Sequence, residues 1–80
     1  MLEELKNGTK VVGAKQTKRA LRDGKAAKVY LAQDADPALT EPMEALSLEN
    51  QVAVEWIPTM KDLGKACGIA VGAAVAAVLA

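Results

Sequence analysis

The chain has 80 residues, 51% of them apolar, and its ten basic and ten acidic side chains give a net charge of zero. This length and composition indicate one small globular domain spanning residues 1–80 and exclude a disordered segment. With no histidine and a single cysteine, the chain cannot form an internal disulfide, a histidine metal ligand or a histidine general base.

The first residues contain short structural signals. The stretch "LEEL" is consistent with a helical turn, which Asn7-Gly8 would end because this pair favours turn geometry. "KVVG", at residues 10–13, predicts a short strand. The N-terminus is acidic where a secretion signal would be basic, so we expect a cytoplasmic protein.

Residues 16–23 have the spacing of an amphipathic helix. Thr17, Ala20 and Leu21 share one face, and Gly24 stands where a helix C-terminus is commonly closed. Runs of charge are usually solvated faces, but this helix lacks the interleaved acids that relieve self-repulsion on an ordinary one. Its outward face consists of basic residues with helical spacing: Lys15, Lys18, Arg19 and Arg22.

This helix belongs to the basic half of an unevenly charged sequence. Residues 6–28 contain eight basic residues and one acidic residue, whereas residues 29–57 contain six acidic residues and no basic one. A surface polarised in this way attracts a polyanion to one side and repels it from the other. The charge distribution therefore indicates a polyanionic partner.

The middle of the chain predicts a strand and a helix. "KVYLAQD", at residues 28–34, is a run of β-branched, aromatic and other apolar residues that indicates a strand buried on both faces. Asp36 is a candidate cap for one helical turn that starts at Pro37, and Thr40 is a candidate cap for a longer helix through Glu49.

A third strand and a third helix follow. "QVAVEWI", at residues 51–57, has a strand pattern, and Pro58 ends it. Thr59 and Asp62 form a capping pair for a short helix that extends to about Ala66.

The apolar tail at residues 69–80 is a candidate strand and not a membrane span. As a helix it would reach only ~18 Å, against a hydrocarbon core of ~30 Å. We place the last strand at residues 73–79, after a turn bracketed by Gly68 and Gly72. The alternation of four strands with three main helices predicts an α/β fold, a three-layer α/β/α sandwich around a four-stranded mixed sheet.

Few residues suit catalysis or metal binding. Cys67 beside Lys65 is a candidate reactive thiol, but a lone cysteine among Ala and Gly is more often a small core residue. Asp34 and Asp36 are candidate ligands for a hard cation, but carboxylates before a proline more often start a helix. The chain has no phosphate-binding loop or dinucleotide glycine pattern. We therefore expect no enzyme activity, cofactor or metal.

The basic helix instead suits RNA. It begins directly after Gly13, and a helix N-terminus favours phosphate through its free backbone N–H groups and its dipole. Lys15 and Gln16, in the first turn, can donate hydrogen bonds to base edges. One Trp and one Tyr are too few to stack splayed single strands, so a structured RNA read in an opened groove fits better.

Three motifs occur in order along the chain: "GAKQTKRAL", "AQDADP" and "MKDLGKACGIAVGAA". Together they resemble the kink-turn-binding ribosomal protein family of the archaeal L7Ae type, and especially its small bacterial paralogues, over nearly the whole chain from Val11. In these paralogues, as here, Lys and Gln stand where archaeal members have Asn and Glu. The resemblance implies that the first motif contacts the tandem sheared G·A pairs of the kink through Gly13, Lys15, Gln16 and Arg19.

The resemblance also implies a second contact region in the loop before the third main helix, which here comprises Ile57, Pro58, Thr59 and Met60. Gly13 and Ile57 each end a predicted strand that leads into a helix. Ligands of open α/β sheets collect at such strand ends. The two regions are therefore expected on one side of the sheet.

The sequence thus predicts a monomeric, non-catalytic RNA-binding protein that clamps a kink-turn and has neither a membrane nor DNA as a partner. Lys15 and Gln16 would contact bases, and residues 57–60 would cover a splayed nucleotide. An alternative is a protein-interaction module whose basic helix docks an acidic partner, and a weaker one is an enzyme built on Cys67. The residues expected to neutralise phosphates are Lys18, Arg19, Arg22 and Lys28.

Overall fold

A computed structural model describes residues 9–80, so the helical turn predicted at residues 2–5 and its end at Asn7-Gly8 lie outside the described part of the chain. Strands and helices alternate along that part in the predicted order. They are β1 (Lys10–Val12), α1 (Ala14–Arg22), β2 (Ala26–Ala32), α2 (Pro37–Glu49), β3 (Ala53–Ile57), α3 (Met60–Ala66) and β4 (Val75–Leu79).

The four strands form one mixed sheet in the order β1-β4-β2-β3. β2 and β3 are parallel, whereas β4 is antiparallel to both of its neighbours, β1 and β2. β1, β2 and β3 therefore run in one direction, and their C-terminal ends lie along one edge of the sheet together with the start of β4. We call this edge the carboxyl edge; it comprises Gly13, Gln33, Pro58 and Ala74.

The helices cover both faces of the sheet. α1 and α2 pack on one face, over a core that includes Leu21 and Met43. α3 packs on the other face, where Leu63 and Tyr30 belong to a second core cluster. Residues 29–32 of β2 are buried, as the sequence indicated. This arrangement confirms the predicted three-layer α/β/α fold with a four-stranded mixed sheet.

α2 is one continuous helix, which corrects the prediction of a separate turn followed by a helix capped at Thr40. Asp36 is the cap, since its Oδ1 accepts a hydrogen bond from Ala38 N at 3.0 Å. Thr40 is buried inside the helix. The first of the two cap signals prevails because Pro37, directly after Asp36, has its φ already fixed near the helical value.

Most other boundaries differ from the predicted ones by one or two residues. β2 begins at Ala26 because its antiparallel pairing with β4 extends to Leu79. β3 begins two residues later than predicted because Gln51 closes the end of α2. β4 begins at Val75 because the residues before it form a loop against α3. α1 begins directly after Gly13, as expected, and two residues before the amphipathic spacing that starts at Gln16.

All three described helices end in the same local structure. The residue after each C-cap has a left-handed φ, +69° at Gly24, +59° at Gln51 and +77° at Gly68. The next N–H then bonds back to the helix, as Lys25 N does to the Ala20 carbonyl at 2.9 Å. The role predicted for Gly24 is confirmed.

Candidate nucleic-acid interface

α1 begins at the carboxyl edge, directly after β1. The Gly13 N–H donates to the Val75 carbonyl at 2.8 Å, which ties the end of β1 to the start of β4. Gly13 then turns the chain with a φ of 101° and a ψ of 154°, a conformation that glycine adopts readily and other residues rarely. This turn places Lys15 and Gln16 at the carboxyl edge, where both are exposed.

The N-terminus of α1 has no side-chain cap, and its first turn contains no acidic residue. The other two described helices are capped: Asp36 caps α2, and Thr59 Oγ1 accepts a hydrogen bond from Asp62 N at 3.0 Å at the start of α3. The first N–H groups of α1 are therefore open to an anion. The helix dipole adds partial positive charge at the same place.

The outer face of α1 is a row of cations. Its inner face, Thr17, Ala20 and Leu21, is buried as the sequence indicated. The one ion pair between described residues joins Lys28 to Glu55, so none of those carboxylates neutralises the cations of α1. Like charges at this spacing destabilise an isolated helix, and a bound anion relieves the repulsion. We call these exposed residues the basic stripe: Lys15, Lys18, Arg19 and Arg22.

An open cleft of about 320 Å³ separates α1 from the first turns of α2. Its lining combines Lys15 and Lys18 with the apolar side chains of Leu39 and Pro42. Cations beside an apolar wall suit a nucleotide, whose phosphate is anionic and whose base is flat and able to pack. The basic stripe is thus continuous with a recess of suitable chemistry for one nucleotide.

Lys28 lies apart from the basic stripe. It is near the start of β2, four residues before the strand ends at the carboxyl edge. Its Nζ lies 2.8 Å from Glu55 Oε1 and 5.2 Å from the centroid of the Tyr30 ring. The structure therefore does not bring Lys28 together with the other predicted RNA contacts, and its role in RNA binding stays a prediction.

The predicted second region, between β3 and α3, lies at the carboxyl edge. Ile57 is only 4% exposed and belongs to the core beneath α3, so its side chain offers no surface to a ligand. Pro58 and Met60 are exposed, and Thr59 is half-buried at its cap. The Met60 N–H donates to Asp34 Oδ1 at 2.7 Å, which fixes the start of α3 to the loop after β2.

One component of this edge, the loop between α3 and β4, was not predicted from the sequence. We call residues 68–74 the apolar loop. Ile69 and Val71 are exposed, Val71 by 71%. The Ala73 N–H donates to the Met60 carbonyl at 3.0 Å, so the loop lies against the first residue of α3.

A signal for this loop was present in the sequence. Apolar residues between two glycines, after a capped helix, indicate a connection whose side chains stay exposed unless another molecule covers them. Residues 68–72 were expected only as a turn into the last strand. Exposure of Ile69 and Val71 shows that the turn also forms surface.

The carboxyl edge brings these components into one row. β1 and β3 are separated by two strands, so Gly13 and Pro58 stand about 14 Å apart in the direction of the strand order. The apolar loop lies between them, since it leads into β4, the neighbour of β1, and contacts Met60, which follows β3. A cationic helix start and an exposed apolar loop are thus adjacent on one surface.

Residues considered for other chemistry have structural roles. Cys67 is buried, and burial raises the pKa of its thiol while the Lys10 ammonium partly offsets that rise. The thiol is therefore protonated at neutral pH and is a poor nucleophile. Asp34 and Asp36 each accept a hydrogen bond from an N–H at a helix start. Within residues 9–80, no three His, Cys, Asp or Glu side chains are grouped so as to hold a metal ion.

None of the helices in the described part of the chain is long and apolar enough to cross a membrane.

Comparison with known proteins relates the whole chain to one family. A family model described as the ribosomal protein L7Ae/L30e/S12e/Gadd45 family matches residues 2–80. An RNA-binding protein of Geobacillus kaustophilus is 51% identical over 75 residues, which are 94% of this chain and 92% of that protein. The large ribosomal subunit protein eL8 of Halobacterium salinarum is 35% identical over 69 residues, which are 85% of this chain and 58% of that protein.

A solved structure shows the same fold. The 15.5kD RNA-binding protein of Giardia lamblia matches with a TM-score of 0.92 at 27% sequence identity. The match covers 99% of this chain and 70% of that chain. The similarity therefore includes the sheet, the helices on both of its faces and the carboxyl edge.

Proposed function

Because this chain belongs to the ribosomal protein L7Ae/L30e/S12e/Gadd45 family, we propose that it is a non-catalytic RNA-binding protein that recognises and stabilises kink-turns in structured RNA. The observation that supports RNA contact most directly is the uncapped start of α1 beneath a basic stripe that no carboxylate of the described residues neutralises. This part of the surface attracts a polyanion, whereas the acidic half of the chain repels one. In this proposal residues 1–80 act as one RNA-binding domain, as a monomer in the cytoplasm.

The first turn of α1 and the rest of the basic stripe contact different parts of the RNA in this proposal. The Gln16 amide both donates and accepts hydrogen bonds, so it can pair with a base edge that presents a donor and an acceptor. Lys15 lies beside it and donates to base acceptors such as guanine O6 and N7. The remaining members of the stripe, Lys18, Arg19 and Arg22, neutralise phosphates, which crowd together where the RNA backbone bends sharply.

The apolar loop and the start of α3 cover a nucleotide that is splayed out of the kink. Met60, Ile69 and Val71 are exposed apolar side chains at the carboxyl edge. Burying them under a base stabilises the complex by about 25 cal/mol for each Å² of apolar surface removed from water. Pro58 and Thr59 complete this contact, and Ile57 supports it from the core. Lys28 is neutralised by Glu55 and makes no direct contact in this proposal.

The mechanism that follows is a shift of the RNA population towards its bent form. A kink-turn RNA exchanges between extended and bent conformations, and only the bent form presents its crowded phosphates and splayed base to the carboxyl edge together. A protein that binds one conformation preferentially shifts the equilibrium towards it by the difference in binding free energy.

Two substitutions on α1 separate recognition of the kink from general attraction to RNA. Gln16→Ala should cost about 1–3 kcal/mol of binding free energy on a kink-turn RNA and little on a plain duplex, because only the kink opens its base edges to the helix. Arg19→Ala should weaken binding to both RNAs, and more to the kink-turn. Lys65→Ala, which removes an exposed cation from α3, is the matched control and should change neither affinity appreciably. Isothermal titration calorimetry on the two RNAs measures all of these values.

Equal losses of affinity for duplex and kink-turn RNA in Gln16→Ala would show that α1 is a general cationic surface. Equal affinity of the wild-type protein for the two RNAs would contradict the proposal. Binding to an acidic protein that persists after ribonuclease treatment, in the absence of any kink-turn affinity, would favour the protein-interaction alternative instead.

A direct test of the mechanism uses a kink-turn RNA labelled with a fluorophore at each end. Adding the protein without magnesium should bring the fluorophores together and raise the energy transfer between them, because binding free energy replaces the screening that the metal supplies. Energy transfer that stays at its extended value at saturating protein would contradict the population shift.

A further inference from the structure

The side of α2 that faces β3 forms a second distinctive surface. Trp56 Nε1 donates to Glu44 Oε2 at 3.3 Å, which places this side of α2 beside the end of β3. Glu41 lies three residues before Glu44, and Leu48 lies four residues after it, so all three share one side of the helix. We call Glu41, Glu44, Leu48 and Trp56 the acidic flank.

β3 next to this flank is an open edge of the sheet. It pairs with β2 alone among the described strands, so half of its backbone N–H and C=O groups point away from the sheet. Edge strands are commonly protected by a lysine, a proline or a bulge. The strand "AVEWI" has no lysine or proline, and its pairing with β2 continues without a bulge from Ala53 to Ile57. Its one charged residue, Glu55, is paired with Lys28.

Large apolar side chains are exposed next to the open edge. Leu48 is 64% exposed and Trp56 is 37% exposed. Isolated apolar residues on a surface need no explanation, but two beside an unpaired strand form the arrangement that binds an added strand. The backbone of the added strand pairs with β3, and its alternate side chains lie over the flank.

The negative charge of the acidic flank determines which kind of partner it attracts. Residues 29–57 contain six acidic residues and no basic one, and among the described residues Glu41 and Glu44 form no ion pair. A nucleic acid or an acidic peptide is repelled here, whereas a segment with Lys or Arg is attracted. In a second copy of this chain, four basic residues lie on helix α1, which cannot pair with a strand edge. Its other open edge strand, β1, has only three residues, too few for an extended pairing with β3.

From these observations we infer that the acidic flank and the open edge of β3 bind an extended, lysine- or arginine-bearing segment of another protein by strand addition. This inference goes beyond the proposed function and does not depend on it, since it concerns a separate face and a partner of opposite charge. It gives the acidic half of the sequence a second role beside repelling a polyanion.

Trp56 is the only tryptophan of the chain, so it reports on this site directly. The probe is a synthetic peptide of nine residues in which Lys alternates with Val, with both ends blocked. Titrating it into the full chain should shift the fluorescence emission of Trp56, and the affinity should fall as salt is added. The same peptide with a central Pro, which cannot donate to the strand ladder, should bind about five- to tenfold more weakly.

Two protein variants locate the contact. Glu44→Gln keeps an oxygen that can accept a hydrogen bond from Trp56 Nε1 but removes the negative charge. It should therefore weaken binding of the Lys-Val peptide about two- to fivefold. Asp23→Asn removes the same charge from the end of α1 and should leave the affinity unchanged. Equal binding of the two peptides, or equal losses for the two variants, would overturn the inference. So would an unchanged Trp56 emission at saturation, or self-association of the chain through this edge in sedimentation experiments.

Discussion

At the level of single residues, Gln51 departs most clearly from local backbone preference. Its φ of +59° places a side chain with a Cβ in the left-handed region, whereas the other two described helices have glycine at the same position. This conformation costs a non-glycine residue about 1 kcal/mol. The cost is offset because the turn lets the Val52 N–H bond to the Ser47 carbonyl at 2.8 Å and starts the approach to β3.

Replacing this residue tests the argument. Gln51→Gly should raise the free energy of unfolding by about 0.5–1 kcal/mol, because glycine relieves the strain at a small cost in the entropy of the unfolded chain. Gly68→Ala is the matched control at the end of α3 and should lower stability by about 1 kcal/mol. Urea unfolding followed by circular dichroism measures both values. A less stable Gln51→Gly variant would show that the Gln51 side chain stabilises the turn.

At the level of structural elements, the apolar loop is held by direct backbone contact with α3. A Cβ on Gly64 would overlap the Val71 carbonyl oxygen, and a Cβ on Gly72 would come within 3.1 Å of Met60 Cβ. The loop therefore rests on the helix without side chains between them. This contact, together with the Met60–Ala73 hydrogen bond, fixes the position of Ile69 and Val71 at the carboxyl edge.

Gly64→Ala should therefore displace the apolar loop. We expect a loss of about 1–3 kcal/mol in unfolding free energy from the overlap and a larger fall in affinity for kink-turn RNA than for duplex RNA. Chemical unfolding and titrations with the two RNAs measure these effects under conditions where the variant stays folded. Gly24→Ala makes the same chemical change at the end of α1, where nothing lies within 4 Å of the new Cβ, so it should destabilise the fold without altering the preference between the RNAs. Equal losses of affinity for the two RNAs in Gly64→Ala would show that the apolar loop takes no part in recognising the kink.

At the level of the whole molecule, the net charge of zero is the sum of a basic surface and an acidic one. Basic residues dominate residues 6–28, and acidic residues dominate residues 29–57. The fold places four of the basic residues on α1 and four of the acidic residues on α2 and β3. Two oppositely charged surfaces orient the molecule towards a polyanion without making the whole surface bind polyanions non-specifically. Affinity for RNA should then depend on salt even though the chain is neutral.

If about four cations of the basic stripe engage phosphates, the logarithm of the RNA association constant should fall against the logarithm of the salt concentration with a slope of about −3 to −4. Lys18→Ala or Arg22→Ala should each reduce the magnitude of this slope by about one and leave sequence preference unchanged. Lys65→Ala should leave the slope as it is. Fluorescence anisotropy over a series of salt concentrations measures the slope, and a value near zero would contradict an electrostatic clamp.

Local features and the family were readable from the residue pattern alone. The spacing of Thr17, Ala20 and Leu21 predicted the buried face of α1, and the pair Thr59 and Asp62 predicted the start of α3. The three motifs indicated the family, and the alternation of strands and helices indicated the fold class; both are confirmed. These features are readable because periodicity and capping depend on residues within about one helical turn of one another.

Which distant residues meet was visible only once the chain was folded. Asp34 bonds to Met60, 26 residues away, and Lys28 pairs with Glu55 across two parallel strands instead of joining the basic stripe. The insertion of β4 between β1 and β2 places the apolar loop beside Gly13. Such contacts follow from strand order and from packing across the sheet. The number of residues between two positions along the chain carries no information about either. The local pattern therefore predicted the buried face of α1 correctly but did not reveal the apolar loop as exposed surface.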